Sequence, residues 1–298
     1  MDVLADVLSL ARVHGTLGAR IEAGARWGWW ATGIRGAAFH AVTSGTAWLA
    51  PRGQAPRQLL PGDVVLLPHG TEHAIGADEA TVAATGPDNS SGYERAGGAV
   101  VRIGSGDTRT HILCAHYEHD PAISLFAPLP DVIHIQGAYE LDDTVRLLGR
   151  ELASPGLATG VVLDRLVDIL LVQLLRAWLA TAPVAVPSWL GALRDPVVGD
   201  AVSLLHAAPD RDWTNAALAR ELAVSPATLG RRFATALGET PAAYLTRWRM
   251  DLAARRLRDT DDPLAAVARS VGYTSVYAFS RAFSRTRGLP PGRYRAAA

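Results

Sequence analysis

A helix-turn-helix pattern occurs twice in the C-terminal part of this 298-residue chain, and this repeat constrains the fold more than any other feature. The two copies are offset by 50 positions from their serines, Ser225 and Ser275, onward. Before the serines the offset is 49, so the second turn is one residue longer. The first copy comprises Leu218, Ala219, Leu222, Ala223, Ser225, Leu229, Arg231, Phe233, Gly238, Pro241 and Tyr244, and the second Val267, Ala268, Val271, Gly272, Ser275, Phe279, Arg281, Phe283, Gly288, Pro291 and Tyr294.

Each copy separates a buried face from an exposed one. Ser225 is suited to the N-cap of a helix and Pro226 to its first position, where the missing N–H has no cost. Leu229 and Phe233 lie at i and i+4 on one apolar stripe, and Arg231 lies off that stripe. A DNA recognition helix needs this division, because one face anchors it while the other presents side chains to base edges. An ordinary helical bundle with solvated arginines is the alternative, and two copies in register argue against it.

Charge is distributed unevenly along a chain that is neutral overall, with 29 basic and 29 acidic residues. Residues 188–298 contain 16 arginines and 10 acidic residues, whereas residues 1–187 contain 13 arginines and 19 acidic residues. The net charges of the two parts are therefore +6 and −6. Since arginine can bond guanine bidentately or hold a phosphate, the basic C-terminal part is the one expected to bind nucleic acid.

The stretch from about Pro196 to Arg295 resembles the DNA-binding domain of the AraC/XylS family of transcription regulators. The strongest match is formed by Ala266-Val267-Ala268, Val271-Gly272-Tyr273-Thr274-Ser275, Phe279-Ser280-Arg281-Ala282-Phe283, Gly288, Pro291 and Tyr294-Arg295. The resemblance implies two helix-turn-helix units joined by a linker helix from Pro241 to about Arg258. It also implies that the two recognition helices enter adjacent major-groove segments of double-stranded DNA.

The resemblance also assigns the DNA-contacting residues. They are Ser225, Ala227, Thr228, Gly230, Arg231 and Arg232 in the first unit and Ser275, Tyr277, Ser280 and Arg281 in the second. One position departs from the family pattern, because Gly230 has no side chain. We therefore expect Arg231 and Arg232 to make most of the contacts of the first recognition helix.

The N-terminal half is predicted to be β-structure. Short segments rich in branched or aromatic residues are separated by Gly and Pro turns, and the predicted strands are 38–42, 45–49, 63–67, 81–84 and 110–117. This spacing predicts a β-sandwich or a small barrel. The motif Gly62-x5-Pro68-x-Gly70-x2-His73 has the spacing of the second cupin motif, in which the histidine ends a strand and points into the barrel.

Residues from about Asp2 to Ile135 thus resemble the cupin-like sensor domain found ahead of AraC-type DNA-binding domains. The resemblance implies a small-molecule effector, and the candidate ligand-binding residues are Trp30, His40, Trp48, His69, His73, Cys114 and His116. Cys114 is the only cysteine, so an internal disulfide is excluded. It is either a small buried hydrophobe or a redox sensor.

Metal-binding cupins carry two histidines and a glutamate in their first motif. The equivalent stretch here, residues 33–45, offers only His40, and Ala38 stands near the glutamate position. A transition-metal site needs about three protein ligands, so His73 would require two more histidines from the fold. We therefore expect no required cofactor, with a divalent metal in the barrel as the alternative.

Two amphipathic helices are predicted between the domains, at 141–152 and 159–180. The predicted architecture is an α+β multidomain protein with a cupin-like β-barrel, a helical dimerisation segment and a C-terminal all-α domain with two helix-turn-helix units. Its predicted boundaries are residues 1–136 for the sensor domain, 137–182 for the dimerisation or docking segment, 183–188 for the linker and 189–298 for the DNA-binding domain.

These features together predict a sequence-specific transcription regulator rather than an enzyme. The expected protein is a cytoplasmic homodimer, without membrane association, that activates transcription through RNA polymerase in response to a small-molecule or redox signal. Two alternatives are a cupin enzyme with an accessory DNA-binding module and a DNA-repair protein with a methyl-accepting cysteine. The missing metal ligands argue against the first, and the location of Cys114 outside the DNA-binding half argues against the second.

Overall fold

The computed structural model describes residues 3–89, 99–119, 126, 129–138, 141–181 and 194–296. The chain divides into two compact units. Of the described residues, the sensor unit contains 13–89, 99–119, 129–138 and 141–181, and the helical unit contains 3–12, 126 and 194–296.

Two β-sheets form the sensor unit. The strands are β1 His14–Ala25, β2 Gly28–Ala31, β3 Ala37–Ser44, β4 Ala47–Pro51, β5 Arg57–Leu59, β6 Val64–Leu67, β7 His73–Gly76, β8 Ala99–Ile103, β9 Ser105–Glu118 and β10 Ile133–Ile135. One sheet has six strands in the order β10-β6-β3-β9-β1-β8, and the other has four in the order β2-β7-β4-β5. The pair β1–β8 is parallel, and the other pairs are antiparallel.

Side chains from both sheets meet in one buried core, as expected for a β-barrel. Ala38 and Val42 of β3 point into this core, together with Cys114 of β9. Alternation along β3 turns Phe39 and Ala41 to the outer face of the sheet. Trp27 and Trp29 fill much of the interior, with ring centroids 5.6 Å apart. The predicted strands at 38–42, 45–49, 63–67 and 110–117 are confirmed as parts of β3, β4, β6 and β9.

The predicted strand at 81–84 is wrong, because these residues belong to a helix, α2, at Glu79–Ala84. Asp78 caps this helix by accepting a hydrogen bond from the Thr81 N–H at 2.7 Å. The capping carboxylate of Asp78 and the acidic Glu79 in the first turn both favour a helix. In a segment of only six residues, these interactions at the helix N-terminus outweigh the β-propensity of the side chains.

Two further helices, α3 at Asp142–Ala153 and α4 at Thr159–Thr181, confirm the helices predicted at 141–152 and 159–180. α4 packs on the outer face of β1, and α3 packs against α4. The Tyr117 hydroxyl donates to the Val167 carbonyl at 3.0 Å, and the Gly15 N–H donates to Asp168 Oδ1 at 2.7 Å. Large apolar side chains remain exposed on this helical pair and its connection, namely Leu147, Leu157, Val161, Val162 and Ile169.

The helical unit consists of α1 Val3–Ala11, α5 Pro196–Ala207, α6 Asn215–Glu221, α7 Pro226–Leu237, α8 Pro241–Asp259, α9 Leu264–Ser270, α10 Val276–Arg287 and α11 Pro291–Ala296. The pairs α6–α7 and α9–α10 are the two predicted helix-turn-helix units, and α8 is the predicted linker helix. The turns cover residues 222–225 and 271–275, so the extra residue of the second turn is confirmed.

Helix α1 packs against α5 and α8 of this unit. At their junction lies His206, whose Nδ1 donates to Asp6 Oδ2 at 3.1 Å and whose Nε2 accepts from the Tyr244 hydroxyl at 2.8 Å. Its ring stacks on Trp248, with centroids 3.6 Å apart. Burial lowers the pKa of His206 to about 4 although Asp6 opposes the shift, so the ring is neutral at pH 7 and bonds through both nitrogens.

The structure therefore groups the chain differently from the predicted sensor domain of residues 1–136, because residues before 13 belong to the helical unit. The predicted linker at 183–188 lies outside the described residues. Within the described part of the chain, no helix combines the length and the apolar character needed to cross a membrane.

Candidate functional site

The first helix-turn-helix unit is fixed at its turn by side chains that bond the ends of its helices. Ser225 caps α7, since its Oγ accepts a hydrogen bond from the Thr228 N–H at 3.1 Å. Asn215 Nδ2 donates to the first carbonyl of α7 at 3.1 Å, which ties the start of α6 to the start of α7. Leu229 and Phe233 are fully buried. The orientation of α7 about its axis is therefore fixed by its own core.

The opposite face of α7 is open over its N-terminal half. Ala227 and Arg231 are exposed. A Cβ added at Gly230 would meet no heavy atom within 4 Å, so packing does not require a glycine there. Arg232 instead lies against the N-cap of α5, where its Nε donates to Asp195 Oδ2 at 2.8 Å. Of the two arginines assigned to this helix, Arg232 is thus held within the protein and Arg231 extends outward.

The second recognition helix, α10, shows the same arrangement. Ser275 caps it by accepting from the Ala278 N–H at 3.3 Å. Tyr277 is 72% exposed, and the Arg281 guanidinium lies 5.8 Å from the centroid of its ring. A cation above an aromatic face is attracted to it, so Tyr277 restricts the orientation of Arg281 before any ligand binds.

An open groove of about 380 Å³ runs along α10 and is lined by Tyr277, Ser280, Arg281, Ser284 and Arg285. The comparison of the two repeats did not single out Ser284 and Arg285. Their spacing could have done so, because they lie at i+4 from Ser280 and Arg281 on the same exposed face.

The linker helix α8 contacts both helix-turn-helix units. Its Arg249 donates from Nε to the Pro209 carbonyl at 2.6 Å and from Nη2 to the Arg211 carbonyl at 2.9 Å. The same guanidinium lies 5.8 Å from the ring centroid of Tyr273, in the turn of the second unit. Sequence patterns did not identify Arg249, because its partners are distant in the chain.

In the sensor unit, three of the candidate ligand residues form one buried chain of hydrogen bonds. His73 Nδ1 bonds the Thr71 carbonyl at 2.7 Å, so this nitrogen carries the proton and Nε2 is an acceptor. His40 Nε2, 2.8 Å away, must then donate to it. His40 Nδ1 is left as an acceptor and faces the Cys114 sulfur at 3.2 Å, which donates as a thiol.

Burial makes this chain neutral. Desolvation lowers the pKa of His40 well below its usual value, and the neighbouring His73 lowers it further. Desolvation also lowers the pKa of His73 to about 4, although its bond to the Thr71 carbonyl opposes the shift. Both imidazoles are therefore uncharged at pH 7.

The arrangement does not fit the metal site of metal-binding cupins. The facing nitrogens of His40 and His73 are 2.8 Å apart and hydrogen-bonded to each other, so each is already engaged by a protein partner. His73 begins strand β7 rather than ending a strand as predicted. Among the described residues, no group of three or more His, Cys, Asp or Glu side chains is placed to hold a metal ion.

The remaining candidate ligand residues lie elsewhere. Trp30 and Trp48 pack with Val82 under α2, in a cluster separate from the barrel core. His69 is exposed in a turn and bonds the Leu129 carbonyl at 3.0 Å. His116 borders a residual cavity of about 10 Å³ beside His40 and Cys114. The seven candidates therefore do not surround one pocket, and the described barrel interior near His40 is filled by side chains.

Known proteins resemble the whole chain. A cupin family model matches residues 2–180, and a helix-turn-helix domain model matches residues 218–297. An AraC-like transcription regulator from Streptomyces lividans is 37% identical over 99% of this chain and 98% of its own. The RCS-specific HTH-type transcriptional activator RclR of Escherichia coli is 28% identical over 99% and 97%, respectively. The solved DNA-binding domain of the global transcriptional factor AdpA, in complex with a target DNA, is 30% identical over 35% of this chain and 92% of that chain, with a TM-score of 0.33.

A cupin-type domain followed by a paired helix-turn-helix domain defines a DNA-binding transcription regulator with a ligand-binding domain, and not an enzyme. The chain belongs to the family of AraC-like transcription regulators. Its predicted family is thereby confirmed, as is its fold class of a cupin-like β-domain followed by an all-α domain with two helix-turn-helix units. Its AraC-type domain binds double-stranded DNA.

Proposed function

We propose that the N-terminal halves of α7 and α10 read two adjacent major-groove segments, with Arg231 and Arg281 as the principal base-contacting residues. The observation that supports this assignment is the shared register of the two helices. In each, an arginine stands six residues after a capping serine, on the face opposite two buried side chains. Both guanidiniums are exposed, and each can bond guanine or phosphate bidentately.

The other assigned residues complete the two surfaces. Ala227 and Gly230 bring the backbone of α7 close to the groove, and Tyr277 and Ser280 contact bases beside Arg281. Thr228, Ser225 and Ser275 lie at the helix N-termini, where backbone N–H groups favour phosphate. Arg232 contributes less than expected from the sequence, because Asp195 already holds it.

The wider proposal is a homodimeric activator in the cytoplasm that contacts RNA polymerase and responds to a small molecule bound in the sensor unit. The exposed apolar side chains of α3, α4 and their connection support a dimer interface on that surface. The Escherichia coli relative is named as an activator, which supports activation here. An effector controls such a protein only if it binds two states with different affinity.

Sequencing of genomic fragments captured by the full-length protein at physiological salt tests the DNA-binding part of the proposal. We expect sharp peaks that share a two-part motif, with its parts about one helical turn apart. Binding that is spread over the genome and disappears with added salt would contradict sequence-specific recognition.

Single substitutions then test the assigned residues on the recovered site. Arg231→Ala and Arg281→Ala should each weaken specific binding by about 1–3 kcal/mol and relax specificity in one part of the motif. Arg232→Ala is the matched control, because its side chain is adjacent in sequence but is bonded to Asp195. Unchanged affinity in Arg231→Ala and Arg281→Ala, or a larger loss in Arg232→Ala, would overturn the assignment.

A further inference from the structure

A cleft of the sensor unit lies outside the barrel. It has a volume of about 820 Å³ and is bounded by the outer face of the six-stranded sheet and by α3. Binding pockets for small molecules typically have volumes of about 300–1,000 Å³. The cavity beside His40 inside the barrel measures about 10 Å³ and cannot admit an organic ligand.

One face of α3 is turned toward this outer cleft. The lining residues of α3 include Asp142, Val145, Arg146, Gly149, Arg150 and Ala153, which follow helical spacing on a single stripe. Gly149 stands in the middle of the stripe, and a Cβ added there would meet no heavy atom within 4 Å. A glycine inside a helix costs about 1 kcal/mol relative to alanine, so neither helix propensity nor packing accounts for it. The absence of a side chain at Gly149 leaves additional space in the cleft beside α3.

The floor of the cleft combines apolar and cationic groups. Ala41, Val64 and Leu113 contribute apolar surface from three neighbouring strands, and Arg20 contributes a guanidinium from β1. Arg20 is only loosely paired, with Nη2 3.5 Å from Glu22, and Glu22 also accepts a hydrogen bond from another arginine at 3.1 Å.

Two of the three acidic groups that line the cleft are bonded within the protein. Asp63 is buried and accepts hydrogen bonds from the N–H groups of Leu60 and Gly137 and from His134. Asp143 is paired with Arg146. Asp142 lies in the first turn of α3, where the helix dipole favours a negative charge. Arg150, two turns further on, has no carboxylate partner among the described residues and is exposed to the cleft.

We propose that this cleft is the effector site and that it binds an organic carboxylate with an apolar body. Arg150 and Arg20 bond the carboxylate, since the planar guanidinium matches its two oxygens. The apolar body lies on Ala41, Leu113 and Val145 and occupies the space left by Gly149. The effector role rests on the proposed function as a regulator, whereas the binding itself does not.

Calorimetric titration of the full-length protein with benzoate, salicylate and naphthoate tests the site, with the corresponding carboxamides as uncharged controls. We expect at least one carboxylate to bind and its carboxamide to bind at least tenfold more weakly. Gly149→Leu should narrow the cleft and weaken binding about tenfold or more, while the melting temperature stays the same or rises because leucine is the better helix former. Arg150→Gln should weaken binding about ten- to a hundredfold.

Arg176→Gln is the control for the loss of one exposed arginine, because Arg176 lies on α4 outside the cleft, and it should leave binding unchanged. Failure of all three carboxylates to bind at millimolar concentration would overturn the proposed ligand class, as would equal binding of the carboxamides. Unaltered binding in Gly149→Leu would overturn the site. Carboxylate binding that leaves DNA affinity unchanged would overturn the effector role alone, and the genomic-capture result would be unaffected.

Discussion

Ala223 and Gly272 occupy the same position in the two helix-turn-helix turns, and both have positive φ angles, 53° and 80°. A residue with a Cβ costs about 1–2 kcal/mol in this left-handed region. Ala223→Gly should therefore raise the free energy of unfolding of the helical unit by about 0.5–1 kcal/mol, after allowance for the entropy of glycine. Urea unfolding followed by circular dichroism measures the change.

The reverse substitution is the matched experiment. Gly272→Ala should destabilise the unit by more than about 2 kcal/mol, because the strain is accompanied by a clash. The added Cβ would lie 2.8 Å from the Asp210 carbonyl oxygen and 2.7 Å from Arg249 Nη2. Ala223→Ser keeps the Cβ, so it should not raise the free energy of unfolding. A loss of stability in Ala223→Gly would mean that this turn is not strained.

The buried imidazoles of His40 and His73 give the sensor unit a dependence on pH. Both pKa values are lowered in the folded state, so below about pH 6.5 the unfolded chain binds more protons than the folded one. Stability should be constant above that pH and fall toward pH 4, by up to about 1.4 kcal/mol per pH unit for each histidine. Urea unfolding followed by tryptophan fluorescence at several pH values measures the slope.

His73→Gln separates this effect from acid unfolding in general. Glutamine can donate to the Thr71 carbonyl and accept from His40 without titrating. The slope of the free energy of unfolding against pH, between about pH 6.5 and 4, should decrease by the equivalent of about one bound proton. A slope identical to that of the original protein would show that His73 is not the titrating group.

At the scale of elements, Arg249 of α8 links the connection that precedes α6 to the turn of the second helix-turn-helix unit, since it bonds the Pro209 and Arg211 carbonyls and faces the Tyr273 ring. Arg249→Ala removes two charge-assisted hydrogen bonds and should lower the stability of the helical unit by about 2 kcal/mol. It should also weaken binding to the complete two-part DNA site more than to either part alone, because the spacing of the recognition helices is no longer fixed. Titration of the whole site and of each part by fluorescence anisotropy makes this comparison. Equal losses on all three DNAs would contradict a coupling role.

The helix-turn-helix units could be predicted because their determinants are local. The serine caps, the i, i+4 stripes and the glycines at helix ends all act within one or two turns of the chain. The bond of Arg232 to Asp195 could not be predicted in this way, because its partners are 37 residues apart. The sequence therefore assigned both Arg231 and Arg232 to DNA contact, and only the folded structure showed that Arg232 is held by Asp195.

The sensor unit was harder to predict, since its contacts depend on which strands become neighbours. The spacing of the second cupin motif marked His73, and the predicted strands at 38–42 and 110–117 contained His40 and Cys114. That these groups bond one another follows only from the pairing of β3 with β9 and from the closure of the second sheet. The outer cleft had no sequence signal except Gly149, a glycine within an otherwise helical pattern.

At the scale of the whole molecule, the apolar surface of α4 bears on the proposed dimer. Val162 and Ile169 lie two turns apart on one exposed stripe. Val162→Asp and Ile169→Asp would place a carboxylate in an apolar interface, so each should raise the dissociation constant of the dimer about a hundredfold or more. Light scattering after gel filtration measures the mass at several concentrations.

Leu60→Asp is the control, because Leu60 is a similarly exposed apolar residue on another part of the sensor unit. It should leave the mass unchanged. A monomeric original protein, or a dimer insensitive to both α4 substitutions, would contradict an interface on this helix.

The packing of α1 on α5 and α8 also sets an order of events during synthesis. The ribosome synthesises α1 before α5 and α8. At about 5–20 residues per second, α1 therefore lacks its packing partners for roughly ten to fifty seconds. The sensor strands and α4 can fold in that interval, whereas Leu4, Val7 and Leu10 of α1 have no docking surface. Translation that stops after α4 therefore leaves the apolar face of α1 exposed to solvent.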